Sequence, residues 1–187
     1  MQHNKATSFV TIAFILMMAF VAIVPLGAAY NGYAAADYAT KNAYSSYTFT
    51  NDCTNFASNA LQAGGWQETG KYSSSSNDAW YFDFRPQPGF SNTWTIADSL
   101  YRFMSRHPER ATAMSAKGPF YNYKVGDIIQ IDYERDGRWD HTMVVTAISA
   151  DYNNLQITQH GDNAPVKWLN SLKGTYSTAN FIGWRIK

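Results

Sequence analysis

The chain has one cysteine, Cys53, among its 187 residues. Without a second cysteine it cannot close an internal disulfide, the usual role of thiols in exported proteins. Charged side chains are also scarce, at 16% of residues, and the formal net charge is only +1. Nucleic-acid binding normally needs a clustered basic face, which this balance does not favour. We therefore expect no nucleic-acid partner.

Long apolar runs are missing as well. The unbroken apolar run from Ile12 to Val24 has 13 residues, which is short for a bilayer span but typical of a signal peptide. Lys5 precedes this run, and Gly27-Ala28-Ala29 offers small residues where a signal peptidase would cut. We expect residues 1–29 to be a signal peptide, with an uncleaved anchor as the alternative. Residues 30–187 would then form one secreted or cell-surface domain that has no membrane contact of its own.

Apolar residues are plentiful, at 45% of the chain, and this argues for a folded core. An Ala-rich segment predicts a helix from about Tyr33 to Tyr44. A second helix should begin after Asp52, a candidate N-cap, and end at Gly64-Gly65, a helix-stop signal. A third helix is predicted from about residue 95 or 96 to residue 106, where His107-Pro108 ends it.

The character of the chain then changes to strands. Four are predicted, over residues 125–133, 140–148, 155–160 and 181–186, and Asp136-Gly137 marks a hairpin turn. Helices first and strands afterwards indicate an α+β fold with N-terminal helices packed on one side of a C-terminal antiparallel sheet. The aromatic stretch between the second and third helices should be an elaborated loop. Its aromatics are expected to be core packing, with substrate stacking as the alternative.

Cys53 falls at the first turn of a predicted helix, directly after the candidate cap. Unpaired N–H groups and the helix dipole favour a thiolate there, and a nucleophilic cysteine also needs a base nearby. Among the histidines beyond the leader, His107 belongs to a polar helix end. His141 opens one strand, and His160 closes the next and could reach it if the two strands pair. An inert buried cysteine is the alternative. A metal site built from His141, His160 and Asp162 lacks any short ligand spacing.

These residues resemble a known family. The resemblance rests on Tyr30-Asn31, Asn51-Asp52-Cys53-Thr54-Asn55-Phe56, Ala63-Gly64-Gly65, Val125-Gly126-Asp127, Trp139-Asp140-His141-Thr142 and Gln159-His160-Gly161-Asp162. In this order they resemble the "putative amidase" domains of secreted Gram-positive proteins, which are similar to the papain-like NlpC/P60 and CHAP cysteine hydrolases. The resemblance implies a papain-like fold of the NlpC/P60 type. It also implies an amidohydrolase that uses a cysteine, a histidine and a third polar residue, without metal or organic cofactor.

Carried over to this sequence, the resemblance implies that Cys53 is the nucleophile and His141 the general base, which later acts as the acid. His160 is the first choice for the residue that orients the imidazole, with Asn163 and Asp162 as alternatives. Asp52 and Asn55 would support the helix start without reacting. The backbone N–H of Cys53 would be an oxyanion donor at the helix start.

The implied function is a secreted cysteine amidohydrolase that cleaves amide bonds in peptidoglycan or related peptides through a thioester. Two alternatives remain open at this point. One is a catalytically inactive cell-wall or interaction module, which the aromatic and weakly charged composition would suit. The other is a peptidase acting on peptides that do not come from the wall.

Overall fold

The structure, a computed structural model, describes residues 29–70, 73–83, 89–161 and 163–187. The expected signal peptide therefore lies outside the described residues, except for residue 29, and so does Asp162. The helices are α1 (Gly32–Asn42), α2 (Cys53–Ala63), α3 (Asn92–Thr95), α4 (Ala97–Arg106) and α5 (Leu169–Thr175). The strands are β1 (Ala111–Ser115), β2 (Ile128–Asp132), β3 (His141–Ile148), β4 (Leu155–Thr158), β5 (Val166–Trp168) and β6 (Asn180–Ile186). Within those ranges, no helix is both long enough and apolar enough to cross a bilayer.

The six strands form one sheet in the order β1-β6-β2-β3-β4-β5, and each neighbouring pair is antiparallel. The last of these strands in sequence, β6, lies between β1 and β2. Strands β2 and β3 therefore occupy the centre of the sheet. Helices followed by an antiparallel sheet are what the sequence predicts, and this coarse α+β architecture is confirmed.

Both faces of the sheet are covered by packed side chains. Successive strand residues point to opposite sides, so neighbouring residues of one strand belong to different clusters. Ile128 and Val144 pack with α1, α2 and α4 on one face, whereas Ile129 and Val145 pack on the other. Leu169 of α5 belongs to the second cluster. The N-terminal helices α1, α2 and α4 therefore share one side of the sheet, whereas α5, which the sequence did not predict, covers the opposite face.

A close backbone approach places α1 against the start of β2. A Cβ atom added at Gly32 would lie 2.0 Å from the carbonyl oxygen of Val125, and one at Gly126 would lie 2.3 Å from Cα of Gly32. Only glycine fits here, and Gly126 also has a φ of +89°. Beside this contact, the Tyr30 hydroxyl donates a 2.7 Å hydrogen bond to the carbonyl of Gly126.

Helix α2 ends at the predicted glycines. The N–H of Trp66 donates to the carbonyl of Leu61 at 3.0 Å, and the N–H of Gly65 donates to Gln62 at 2.9 Å. Gly65 adopts a φ of +89°. This pair of bonds is the Schellman arrangement, which needs a left-handed residue just beyond the helix.

Part of the aromatic stretch after α2 belongs to the core. Trp80 and Trp94 are fully buried and stack with ring centroids 4.4 Å apart. Two isolated β-bridges, Thr69 with Trp80 and Phe82 with Phe90, organise the loop. Burial of these indoles explains why a segment with so little regular structure carries so many aromatic residues.

Candidate active site

Cys53 is the first residue of α2 and lies in a groove of about 920 Å³. Its side chain is mostly buried, with 8% of the residue exposed. The start of β3, where His141 lies, also lines the groove, as do the α3–α4 junction, Gly161 and Asn163. The groove brings together the thiol and the imidazole that the sequence singled out.

Asp52 occupies the N-cap position of α2, but its side chain makes no capping hydrogen bond to the helix. Instead its Oδ1 accepts from the N–H of Phe49 at 3.1 Å and from the side-chain amide of Asn55 at 2.9 Å. Its Oδ2 lies 2.6 Å from Nδ1 of His160. Asp52 thus contacts the segment before α2, the first turn of α2 and His160, and its contacts differ from those of a side-chain cap.

The residues next to Cys53 fasten the helix start to the sheet and to the core. The hydroxyls of Thr54 and Thr142 lie 3.0 Å apart, and Thr142 also accepts from the amide of Gln130 at 3.2 Å. The carbonyl oxygen of the Asn55 side chain accepts from the indole N–H of Trp94 at 3.0 Å. All of these side chains are buried, so each bond satisfies a polar group that would otherwise be costly to bury. The motif around Cys53 is thus largely a set of anchors that fix the position of the sulfur.

His141 interacts directly with the Cys53 thiol and changes its pKa. Burial raises the pKa of Cys53, but the hydrogen bond and charge of His141 lower it, aided by Thr54 and the backbone of Thr142. The net result is a pKa below the ordinary thiol value. A lowered pKa increases the thiolate fraction at neutral pH, and the thiolate is the nucleophilic form.

The side chain that holds His141 is Gln159, which sequence reasoning missed. The carbonyl oxygen of its amide lies 2.8 Å from Nε2 of His141, and Gln159 is 2% exposed. Because an amide oxygen only accepts, Nε2 carries the hydrogen in this bond. We assign the contact with the Cys53 thiol to the other ring nitrogen, Nδ1.

The choice of His160 to orient His141 is wrong. Nδ1 of His160 faces the carboxylate of Asp52 and Nε2 faces the carbonyl of Asn42 at 3.0 Å, so both ring nitrogens are bound elsewhere. The ring is stacked between Tyr47 and Phe56 beneath the start of α2. His160 therefore contacts the residue before the cysteine and not the base.

The register of β3 and β4 explains why Gln159, and not His160, contacts His141. Val144 pairs with Thr158, and continuing that register sets Met143 opposite Gln159 and Thr142 opposite His160. Opposed residues share a face, so Gln159 lies on the face of Met143 and His141, whereas His160 lies on the other face.

The structure describes one of the two other candidates for the residue that orients His141. Asn163 lines the groove. Asp162 lies outside the described residues.

His107 lies at the end of α4, where its Nδ1 is 2.9 Å from Glu109 and its Nε2 is 3.4 Å from Asp78.

Acidic side chains gather at the turn between β2 and β3. One carboxylate oxygen from each of Asp132, Glu134 and Asp140 lies within 4.8 Å of the others. Asp132 accepts from the N–H groups of Asp136 and Gly137 and so braces the turn. Burial and the neighbouring Asp140 raise the pKa of Glu134. Hydrogen bonds within the turn account for Asp132. This cluster shares no residue with the set of His141, His160 and Asp162 considered from sequence, although Asp140 directly precedes His141.

The described geometry defines a mixed helix-and-sheet domain with a thiol and an imidazole side by side in a surface groove. Residues 28–184 match the family described as "Putative amidase domain", which covers most of the chain, and the chain belongs to this family. The family description indicates amide hydrolysis. No solved structure matches the chain.

Two Bacillus subtilis proteins, both named as uncharacterized, are similar to this chain. YhbB is 34% identical over a match that covers 53% of this chain and 30% of YhbB. YjcM is 27% identical over a match that covers 78% of this chain and 35% of YjcM. The chain thus spans about a third of the length of these curated relatives.

Proposed function

We propose that this domain is a cysteine-dependent amide hydrolase in which Cys53 attacks the carbonyl carbon and His141 transfers the proton. The observation that carries the proposal is the interaction of the buried thiol with His141, which lowers the thiol pKa inside a solvent-accessible groove. A perturbed thiol beside a base in a cleft is the arrangement that nucleophilic catalysis requires. Membership of the amidase family supports the same reaction class.

In the proposed reaction the Cys53 sulfur forms a bond to the acyl carbon, and the amide C–N bond then breaks. The imidazole of His141 takes the thiol proton as the sulfur attacks and gives it to the departing amine, and an acyl thioester is left on the enzyme. Water, deprotonated by His141, then attacks the thioester and releases the acid. Gln159 keeps the ring in the orientation that both proton transfers need. The N–H of Cys53, at the first position of α2, would donate to the oxyanion.

The proposed substrates are amide bonds of peptidoglycan stem peptides, or the amide that joins peptide to sugar, met outside the cell after export. A papain-like relationship to the NlpC/P60 hydrolases belongs to the same proposal. The groove suits such a substrate because it is open and largely polar, with Asp98, Arg138 and Tyr47 on its walls. A carbohydrate-linked peptide offers many hydrogen-bonding groups to walls of this kind.

The experiment that tests the proposal is digestion of purified peptidoglycan, isolated muropeptides and unrelated peptides by the full chain. Mass spectrometry of the products would identify the bond that is cut, and Cys53→Ala is the matched inactive variant. We expect new amines from wall fragments with the wild type and none with Cys53→Ala.

Two results would contradict parts of the proposal. Equal cleavage by Cys53→Ala would remove the cysteine mechanism. Cleavage confined to unrelated peptides would keep the mechanism but reject the wall substrate, and no cleavage of any amide would reject hydrolysis.

A further inference from the structure

His160 and Asp52 form a buried pair that the proposed reaction does not use directly. Their side chains are 3% and 2% exposed, and Nδ1 of His160 lies 2.6 Å from Oδ2 of Asp52. The other ring nitrogen, Nε2, lies 3.0 Å from the carbonyl oxygen of Asn42. Because a carbonyl oxygen only accepts, Nε2 must carry a hydrogen.

Hydrogen-bond donors surround Asp52. Its Oδ1 accepts two hydrogen bonds, from the N–H of Phe49 and from the amide of Asn55. A carboxylate cannot donate, so with Asp52 in that form Nδ1 of His160 would supply the hydrogen in the 2.6 Å bond. With hydrogens on both nitrogens, His160 would be an imidazolium.

Two aromatic rings enclose the imidazole ring of His160. Phe56 stacks on one side with ring centroids 4.2 Å apart and an interplanar angle of 27°. Tyr47 stacks with centroids 4.5 Å apart and an angle of 26°. Aromatic faces carry negative potential and attract a desolvated cation, so the stacking favours the charged ring.

We propose that His160 is a positioning residue whose positive charge cancels that of Asp52 beside the Cys53 sulfur and ties the start of α2 to the segment after β4. Asp52 directly precedes Cys53, and both residues line the groove. An uncompensated carboxylate there would oppose formation of a thiolate, because like charges repel strongly where water is scarce. The inference rests on the proposed function only through the role given to Cys53.

Several other titratable groups surround this pair, and the test must leave them in place. Burial and the charge of Asp52 raise the pKa of Tyr38 in α1. Tyr47 faces His160 from the preceding loop, and His141 faces Cys53 from β3. In this part of the structure the experiment therefore changes only Asp52 and His160.

The test measures the rate of Cys53 alkylation by iodoacetamide against pH in the full chain. His160→Gln keeps a hydrogen-bond donor but removes the positive charge, so we expect alkylation at pH 7 to slow about tenfold, the effect of one pKa unit. Asp52→Asn should not slow it. The double variant Asp52→Asn/His160→Gln should return to within about threefold of the wild type, because no charge is left uncompensated. His107→Gln, at the end of α4, is the matched histidine control and should leave the rate unchanged.

A double variant as slow as His160→Gln, or slower, would overturn the charge compensation and leave only a packing role. If His160→Gln fails to fold, ¹⁵N NMR of histidine-labelled wild type decides instead. We expect two exchange-protected N–H signals from the His160 ring at neutral pH, and a single N–H would overturn the proposal. Alkylation needs no amide substrate, so the predicted pattern without any hydrolysis would reject the proposed function and keep this pairing.

Discussion

The contact between Gln159 and His141 yields the sharpest prediction about the reaction. Gln159→Ala removes a partly buried 2.8 Å hydrogen bond from Nε2 of His141 and leaves that nitrogen without this acceptor. A hydrogen bond of this kind contributes about 1 kcal/mol, and leaving a buried partner unsatisfied costs about 1–3 kcal/mol. Each 1.4 kcal/mol is tenfold in rate, so we expect amide hydrolysis to slow by roughly 10- to 100-fold.

The assay compares turnover of the cleaved muropeptide with the pH dependence of Cys53 alkylation. Gln159→Glu retains an acceptor oxygen for Nε2 and should recover much of the loss, which a purely steric effect would not allow. Gln156→Ala, on β4, is the matched glutamine control, since Gln156 lies at 3.4 Å from the hydroxyl of Thr146 and away from the imidazole. Turnover by Gln159→Ala within twofold of the wild type would refute the assigned orientation of His141.

Two further predictions concern the scaffold. Gly32→Ala would place a Cβ atom 2.0 Å from a backbone carbonyl, so we expect about 2 kcal/mol of destabilisation and a melting temperature lower by roughly 4–8 °C. Gly174→Ala meets nothing within 4 Å and is the control; equal melting temperatures for the two variants would be inconsistent with the close approach. Asn55→Ala leaves the Trp94 indole N–H unsatisfied, which should cost about 1–3 kcal/mol in urea unfolding. An unchanged unfolding midpoint would show that this hydrogen bond contributes nothing to the free energy of unfolding.

Sequence reasoning found the thiol and the imidazole because their signals are local. A helix-start position and a strand-start position can both be derived from short patterns around Cys53 and His141. The third residue could not be derived in the same way, because it depends on a register between strands. Near the hairpin turn, Ile148 pairs with Leu155 and Ala147 with Gln156. If that register had continued, His160 would lie opposite Met143 and on the face of His141.

A β-bulge between Val145 and Ala147 shifts the ladder by one residue, so that Val144 pairs with Thr158. A one-residue shift exchanges the two faces of a strand, and Gln159 takes the place that an unbulged ladder would give to His160. The sequence shows no glycine or proline at the bulge. From the sequence alone, strand alternation predicts only that Gln159 and His160 point to opposite faces of the sheet.

The elements that sequence reasoning missed are those with weak local signals. Strand β1 has the sequence Ala-Thr-Ala-Met-Ser, of little β-propensity, and it is held by five paired positions on β6. Strand β5 has three residues, and α5 contains Gly174, a poor helix former. Packing of Leu169 and Leu172 against the second face of the sheet stabilises α5 where propensity does not.

The most direct test of the central claim is the pH dependence of Cys53 alkylation in the wild type and in His141→Ala. Because His141 lowers the thiol pKa, the midpoint of the wild type should lie below the ordinary value of about 8.5, and its thiol should react faster at neutral pH than an ordinary thiol. His141→Ala keeps the burial, which raises the pKa, so its midpoint should rise and its neutral reaction should slow. A wild-type midpoint at or above that of an ordinary thiol, unchanged by His141→Ala, would contradict the account.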